Sequence, residues 1–247
     1  MLELYHAGLT SCSKKARLCL KEKGLAYKSH YLRLDTFEHH DPAYLALNPN
    51  GLVPTLVHDG EAIIESGVIN EYVDEIFPDM PLRPADPRAR ARMRVLAKMA
   101  DEYGLAAQRI PTWTRTKQAQ LKAMDQPTFD KMVAETPLAD HRLKLQALRG
   151  GGFSEKEFAD AYARMDYVYD RCETALAEGP WLVGAQYSLA DIALLPYVDS
   201  FKDVRPELMA SHPRVAAWHA RIMARPAVKA TYEPSEEAPA RRPVAAA

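Results

Sequence analysis

No stretch of this chain is apolar for about 18 residues or more, so no membrane span is expected. No charged segment leads into an apolar one at the start, so no signal peptide is expected either. A dominant charge is also missing. The 32 basic residues are balanced by 33 acidic ones, a net charge of −1 over 247 residues. That balance removes the electrostatic case for nucleic acid or an anionic membrane as a partner. Cysteine is sparse and odd in number: Cys12, Cys19 and Cys172 form no metal-binding or redox spacing. Such usage suits a reducing, cytoplasmic setting. Internal repeats are absent. What is present is 47% apolar residues, enough for one large domain or two modest ones.

The first third alternates strand and helix signals. Leu2 to His6 alternates like a strand, and a helix is expected from Ser13 to the left-handed C-cap at Gly24. Tyr27 to Leu34 reads as a second strand and Pro42 to Asn48 as a short helix closed by Asn50-Gly51. A strand after Pro54, a turn at His58-Asp59-Gly60, a strand at Ala62-Ile63-Ile64 and a helix from Glu65 complete a β-α-β-α-β-β-α unit. Pro78, Pro81, Pro84 and Pro87 then mark a linker, residues 78–87. Beyond it strand signals vanish. Helices are expected over Arg88 to Tyr103 and from Ser154 with its Ser-x-x-Glu box. Ser188 and Asp191 form a second box, and a last helix is expected from Pro213. The expected division is an α/β domain over 1–77, an all-helical domain over 88–233, and a loose Pro/Ala-rich tail over 234–247.

Residues 53–67, VPTLVHDGEAIIESG, carry the most information. Proline has no N–H for a strand ladder, so Pro54 implies an edge, a bulge or a special turn. An X-Pro bond is also where a cis peptide is accessible. Glu65-Ser66 opens a helix, whose free N–H groups can hold an anion. An exposed backbone edge beside an anion site suits a small peptide bearing carboxylates.

The chain resembles the cytosolic glutathione transferases. The residues that carry the likeness are Asn48-Pro49-Asn50-Gly51-Leu52-Val53-Pro54-Thr55-Leu56, Glu65-Ser66, Ser188-Leu189-Ala190-Asp191 and Arg225-Pro226-Ala227-Val228. Within that superfamily it is similar to the glutathione-dependent β-aryl etherases of lignin-degrading sphingomonads, of the β(S)-selective type. That likeness lies in Phe37-Glu38-x-His40, Leu82 to Pro87, Arg92-Met93-Arg94-Val95, Asp101-Glu102-Tyr103, and an insertion from Pro137-Leu138 to Arg149 followed by Gly152-Phe153. The resemblance implies a thioredoxin-like N-terminal domain, an all-α C-terminal bundle, glutathione as co-substrate, a small aromatic electrophile, and a homodimer or heterodimer. A general conjugating transferase, a dehalogenase, or a low-activity partner subunit would share this scaffold.

By the same resemblance, Pro54 is a cis-proline and Val53 pairs its backbone with the cysteinyl unit. Glu65 meets the γ-glutamyl ammonium, and Ser66 meets its carboxylate. His40, or its neighbour His39, holds the glycyl carboxylate. Asp101 either reaches the γ-glutamyl amine across a dimer interface or is a surface carboxylate. Tyr103, Arg109, Trp113, His141 and Arg142 are candidates for the electrophile pocket. Ser188 and Asp191 are assigned to folding.

The chemistry needs a thiolate. A free thiol has a pKa of about 8.5, so lowering it by about 2 units takes roughly 2.7 kcal/mol. A hydroxyl donor to the sulfur supplies about 1.5–3 kcal/mol and a helix N-terminus about 0.3–1 more. Thr10, Ser11, Cys12 and Ser13 cluster where that is needed. The etherase pattern points to Ser13, theta- and zeta-type transferases to the Thr10 register, and Ser11 stays open. Ser13 could equally be a helix cap. Cys12 admits a mixed-disulfide function of the omega type, although it stands two residues beyond that register.

Overall fold

The computed structural model describes residues 1–233; the tail expected over 234–247 lies outside the described residues. Strands β1 (Leu2–His6), β2 (Lys28–Tyr31), β3 (Thr55–His58) and β4 (Glu61–Ile64) form one mixed sheet in the order β2-β1-β3-β4. β1 runs parallel to β2 and antiparallel to β3, and β4 returns antiparallel on β3. β2 is shorter than its apolar signal suggested. Helices α1 (Ser11–Glu22), α2 (Pro42–Leu45) and α3 (Ser66–Ile76) complete this thioredoxin-like domain. α1 starts two residues before the expected position, so Ser11 and Cys12 belong to its first turn.

The second domain is helical: α4 (Pro87–Met99), α5 (Leu105–Ala123), α6 (Gln126–Glu135), α7 (Ala139–Gly150), α8 (Glu155–Ala175), α9 (Leu189–Phe201), α10 (Glu207–Ser211), α11 (Pro213–Met223) and α12 (Pro226–Tyr232). Two expectations change here. The helix expected to end at Tyr103 instead passes through a π-helical turn at Ala100–Gly104 into α5, with Pro111 inside it. The helix expected to be last, α11, is followed by α12, which Pro226 opens. Both helices flanking the Ser boxes behave as read. Ser154 and Glu157 cap α8 reciprocally, and Ser188 and Asp191 cap α9.

Gly104 looks like a helix breaker, yet its role is steric. A Cβ there would stand 2.9 Å from Cγ of Tyr197, a fully buried ring. Gly104→Ala is therefore expected to destabilise the fold by about 1–3 kcal/mol through overpacking, read as a lower midpoint in denaturant unfolding.

The main core fuses the two domains. α1 packs against α3, α9 and α12, and Ala16, Leu18, Cys19 and Leu20 are all fully buried. Buried charges lock the junction. Arg17 donates to the carbonyls of Gly8 (3.1 Å) and Thr231 (3.0 Å). Asp74 accepts from Lys23 Nζ, the Leu82 N–H and Arg83 Nε at 2.7–2.8 Å, which pins the proline-rich connection. Arg225 binds Glu22 at 2.7 Å through both Nε and Nη2, so the closing Arg-Pro motif anchors α12 to α1. A second, smaller core gathers Leu121, Phe129, Met132, Leu145 and Leu148 under the α6–α7 hairpin, with Phe37 of the first domain packed on it.

Candidate active site

The loop before β3 is built by two buried polar side chains. Asn48 Nδ2 donates to the Leu52 carbonyl (2.8 Å) and to Thr55 Oγ1 (3.2 Å), and its Oδ1 accepts from the Asn50 N–H. The Tyr44 hydroxyl also bonds the Leu52 carbonyl and Thr55 Oγ1. Between those braces the Val53–Pro54 peptide is cis. The backbone N–H and C=O of Val53 have no partner among the described residues, which leaves a short edge open for an extended ligand.

Glu65 and Ser66 stand beside that edge. Glu65 holds φ 69° and ψ 113°, a strained conformation for a residue with a Cβ. It occupies the N-cap of α3 without a side-chain capping bond. Ser66 is the first helical residue and not a cap, contrary to the plainest reading of a Ser at that place. The first-turn N–H groups of α3 are thus left for an anion. Asp101 joins them from the π-helical turn. Its Oδ2 lies 3.0 Å from where a Cβ on Gly67 would be, and its Oδ1 receives the Nζ of fully buried Lys15 at 2.5 Å. Within this one chain, then, a carboxylate of the helical domain already reaches the start of α3.

Thr10 is the N-cap of α1, and its side chain also makes no capping bond. Its hydroxyl donates instead to Ser13 Oγ at 2.8 Å. Ser13 is fully buried, and its Oγ also accepts from the Ala7 N–H at 3.1 Å. Ser13 therefore braces the loop from beneath, and Thr10 is the half-exposed member of the pair. Ser11 points across the cleft, donating to Gln108 Oε1 at 2.7 Å, while Gln108 Nε2 donates to Ser200 Oγ at 2.9 Å. Cys12 is half-buried, with Sγ 3.6 Å from the Tyr197 hydroxyl.

The facing wall is one side of the π turn and α5. Asp101 and Gln108 reach the first domain at Lys15 and Ser11, and Arg109, Trp113 and Lys117 follow at four-residue spacing along α5, Lys117 beside Leu34 and Phe37. Arg109 lies over Trp113 at 5.5 Å and contacts Asp140 at 3.4 Å. Burial, more than its carboxylate neighbour, sets the direction of its pKa, which is lowered. His141 meets Trp113 edge-on at 5.4 Å, and burial with the Arg109 charge pulls its pKa down to about 4, so the ring is neutral near pH 7. Two candidates fall away from this wall. Tyr103 packs on Tyr167 of α8 at 4.8 Å. Arg142 donates to the Thr136 carbonyl at 3.1 Å, closing the α6–α7 turn. Reading from residue type missed Gln108, Lys117 and Lys15. The spacing of Arg109, Trp113 and Lys117 at every fourth position was a signal for Lys117, and the seven-residue step from Asp101 was one for Gln108; nothing in the pattern marked Lys15.

His40 lies at the far end of the Val53 edge. Its Cδ2 and Pro137 of the helical insertion both crowd over Gly51, where φ is +59°. The His39 ring meets it at 4.1 Å, tilted by 48°, and burial lowers the pKa of both, that of His39 to about 3.

Two family models match the chain: the glutathione S-transferase N-terminal domain over residues 10–76 and the glutathione S-transferase C-terminal domain over residues 130–226. Protein LigF of a Sphingobium species is 33% identical over 245 residues, covering 95% of this chain and 94% of that protein. The chain belongs to the glutathione S-transferase family. Glutathione S-transferase 3 of maize is 29% identical over 93% of this chain and 92% of its own length. Among solved structures, β-etherase LigF superposes with a TM-score of 0.88 at 32% identity, over 94% of this chain and 98% of that one. A Sulfitobacter glutathione transferase homologue with bound glutathione superposes at 0.69 and 25% identity, over 93% of this chain and 96% of its own. Glutathione is the co-substrate of this transferase, and the open edge, the two uncapped helix starts and the α5 wall are the features available to hold it. No cluster of metal-binding side chains occurs among the described residues.

Proposed function

We propose that this transferase is a glutathione-dependent β-aryl etherase acting on lignin-derived aromatic ketones. The observation that carries the reading is the likeness to β-etherase LigF over both domains, at a TM-score of 0.88. A poplar glutathione transferase covering as much of the chain reaches 0.70. The sulfur of glutathione bonds to the β-carbon, the β-carbon–oxygen bond breaks, and a phenolate departs with the electron pair and takes a proton from water. The neighbouring carbonyl activates that carbon, so the protein supplies a thiolate, alignment and a dry cleft.

The roles follow from position. The Val53 backbone takes the cysteinyl unit next to Pro54. Glu65 and Asp101 meet the γ-glutamyl ammonium, and the Ser66 hydroxyl with the α3 N-terminus takes its carboxylate. His40 serves the glycyl end. The Thr10 hydroxyl turns its proton from Ser13 Oγ to the sulfur beside the first-turn N–H groups of α1, and Ser13 holds Thr10 from behind by donating its own O–H to Thr10 Oγ1 in return. Ser11 fixes the cleft through Gln108. Arg109, Trp113 and His141 line the electrophile's side, one cation and two rings suited to an aromatic with a phenolate leaving group. Tyr103 and Arg142 serve packing. The division into 1–77, a 78–87 linker and 88–233, a dimer of like or related chains, and a cytoplasmic location belong to the same reading. Among the described residues no helix is long and apolar enough to cross a membrane.

The test is incubation with glutathione and a panel of β-aryl ether ketones and halide electrophiles, with chiral resolution of the products. Phenol released from one ether enantiomer is the expected result. Turnover of the halides alone would make the chain a general conjugating transferase or dehalogenase.

A further inference from the structure

We infer that Lys117, a residue of the helical domain, closes on the glycyl carboxylate of glutathione and so links the two domains through the bound tripeptide. The inference rests on the glutathione site described above and adds to it a residue and a contact.

The course of the tripeptide follows from the fixed features. In the β3–β4 pairing Thr55 faces Ile64, which brings Val53 opposite the start of α3. With its γ-glutamyl end at α3 and its cysteinyl unit at Val53, the ligand continues past Leu52 to Gly51. Two extended residues span about 7 Å, and Gly51 is where His40 crowds in.

An unbalanced cluster of nitrogens waits there. Nδ1 of His39 and Nδ1 of His40 are both buried and have no hydrogen-bond partner. The charge of Lys117 acts on both rings. Lys117 is half-buried on α5, its Nζ 4.8 Å above the Trp113 ring, and it lines a 160 Å³ cavity with Leu34, Phe37 and Gln120. Among the described residues no carboxylate lies within ion-pair distance of it. Asp35, which also lines the cavity, binds Arg33 at 2.8 Å, Asp140 binds Lys144 and Arg109, and of the two carboxylates whose charge reaches His40, Glu135 pairs with Lys131 and Asp41 is the other. Burial first, and Arg109 second, lower the Lys117 pKa, as expected for an ammonium short of a counter-ion. Two unpaired ring nitrogens and an unpaired ammonium are costly together unless a ligand completes them. A carboxylate does so, accepting from Nζ and from a ring N–H.

The electrophile is a poorer candidate for that anion. It must approach the sulfur at the start of α1, beside Cys12, and the residue of α5 whose charge couples to Cys12 is Arg109. Lys117 stands eight residues further along, about 12 Å down the helix.

The experiment is calorimetric binding of glutathione and of its glycyl monoethyl ester to the wild type, Lys117→Met and Lys117→Arg. The wild type is expected to prefer glutathione over the ester by about 10–50-fold, the scale for a carboxylate paired with a partly desolvated charge. Lys117→Met should lose a similar factor for glutathione and less than about twofold for the ester, while Lys117→Arg keeps most of the preference. Methionine replaces an unpaired ammonium with an apolar chain of like length, so the variant should fold, which a thermal melt verifies. Equal loss for both ligands, or a higher KM for the electrophile with glutathione affinity unchanged, would overturn the contact. A wild type that binds glutathione without preference over the ester would overturn it too. Failure of the wild type to bind either ligand would overturn the glutathione site itself, and this contact with it.

Discussion

Thr10→Val is expected to lower kcat/KM by about 10–100-fold, because it deletes one hydrogen bond to a charged sulfur worth about 1.5–3 kcal/mol. The same deletion should raise the thiol pKa of bound glutathione by about 1–2 units, since each unit equals 1.36 kcal/mol. Valine keeps the branched shape, and the α1 N–H groups remain, so some thiolate survives. Thr10→Ser should behave nearly as the wild type. The contrast is Ser13→Ala. Ser13 is buried and accepts from both the Ala7 N–H and the Thr10 hydroxyl. Its loss leaves a buried N–H unpaired, at a cost of about 1–3 kcal/mol in stability, with a smaller change in thiol pKa than Thr10→Val gives. If Ser13→Ala instead raised the thiol pKa and Thr10→Val did not, the sulfur donor would be Ser13.

Asp191→Ala is expected to be the most damaging single substitution for stability, at about 3–5 kcal/mol. The Asp191 carboxylate is fully buried at the start of α9. It accepts from the N–H groups of Leu182 (3.0 Å) and Ser188 (2.9 Å), the Ser188 hydroxyl (3.1 Å) and Trp218 Nε1 (2.8 Å). Burial pushes its pKa up to about 6 and those donors work against it, so the group is charged at neutral pH. Alanine would remove the shared acceptor of four donors that join three elements: the 181–183 turn, the α9 cap and α11. In a chain of this size such a loss lowers the melting temperature by about 10 °C. Asp191→Asn, which keeps an acceptor oxygen, should lose roughly half as much. Activity measured well below the transition should survive in both, because α9 meets the cleft through Ser200 and Tyr197 and not through Asp191. Loss of activity without loss of stability would give Asp191 a role in the site.

The local geometry of the proposed glutathione side, the braced cis bond and the start of α3, was legible in the chain. Its parts are contiguous: Asn48 braces Leu52 and Thr55 on either side of the cis bond, and Glu65-Ser66 follows a single hairpin. Local chemistry of that kind leaves a local pattern. Ser188-Asp191 was legible for the same reason, as a box closed within four residues. The far wall of the cleft was not. Tyr103 and Lys117 lie on one continuous path from the π turn through α5, yet Tyr103 packs on Tyr167 of α8 while Lys117 stands beside Trp113 and Phe37. Residue type favoured the aromatic; long-range packing decided otherwise. The hydroxyl cluster was ambiguous for a related reason. Thr10, Ser11 and Ser13 are all plausible donors by type, and one turn of helix distributes them to the cleft, to Gln108 and to the interior. Two helix ends were also not legible, at Tyr103 and after α11, since Gly104 serves a close approach to Tyr197 and Pro226 begins a helix.

All of this depends on a thiolate forming at the start of α1. Ultraviolet difference absorbance of the protein with bound glutathione, followed across pH, measures that directly. The bound thiol is expected to titrate about 2 units below free glutathione, so that the thiolate is mostly formed near pH 7. A bound thiol that titrates where the free one does would contradict it.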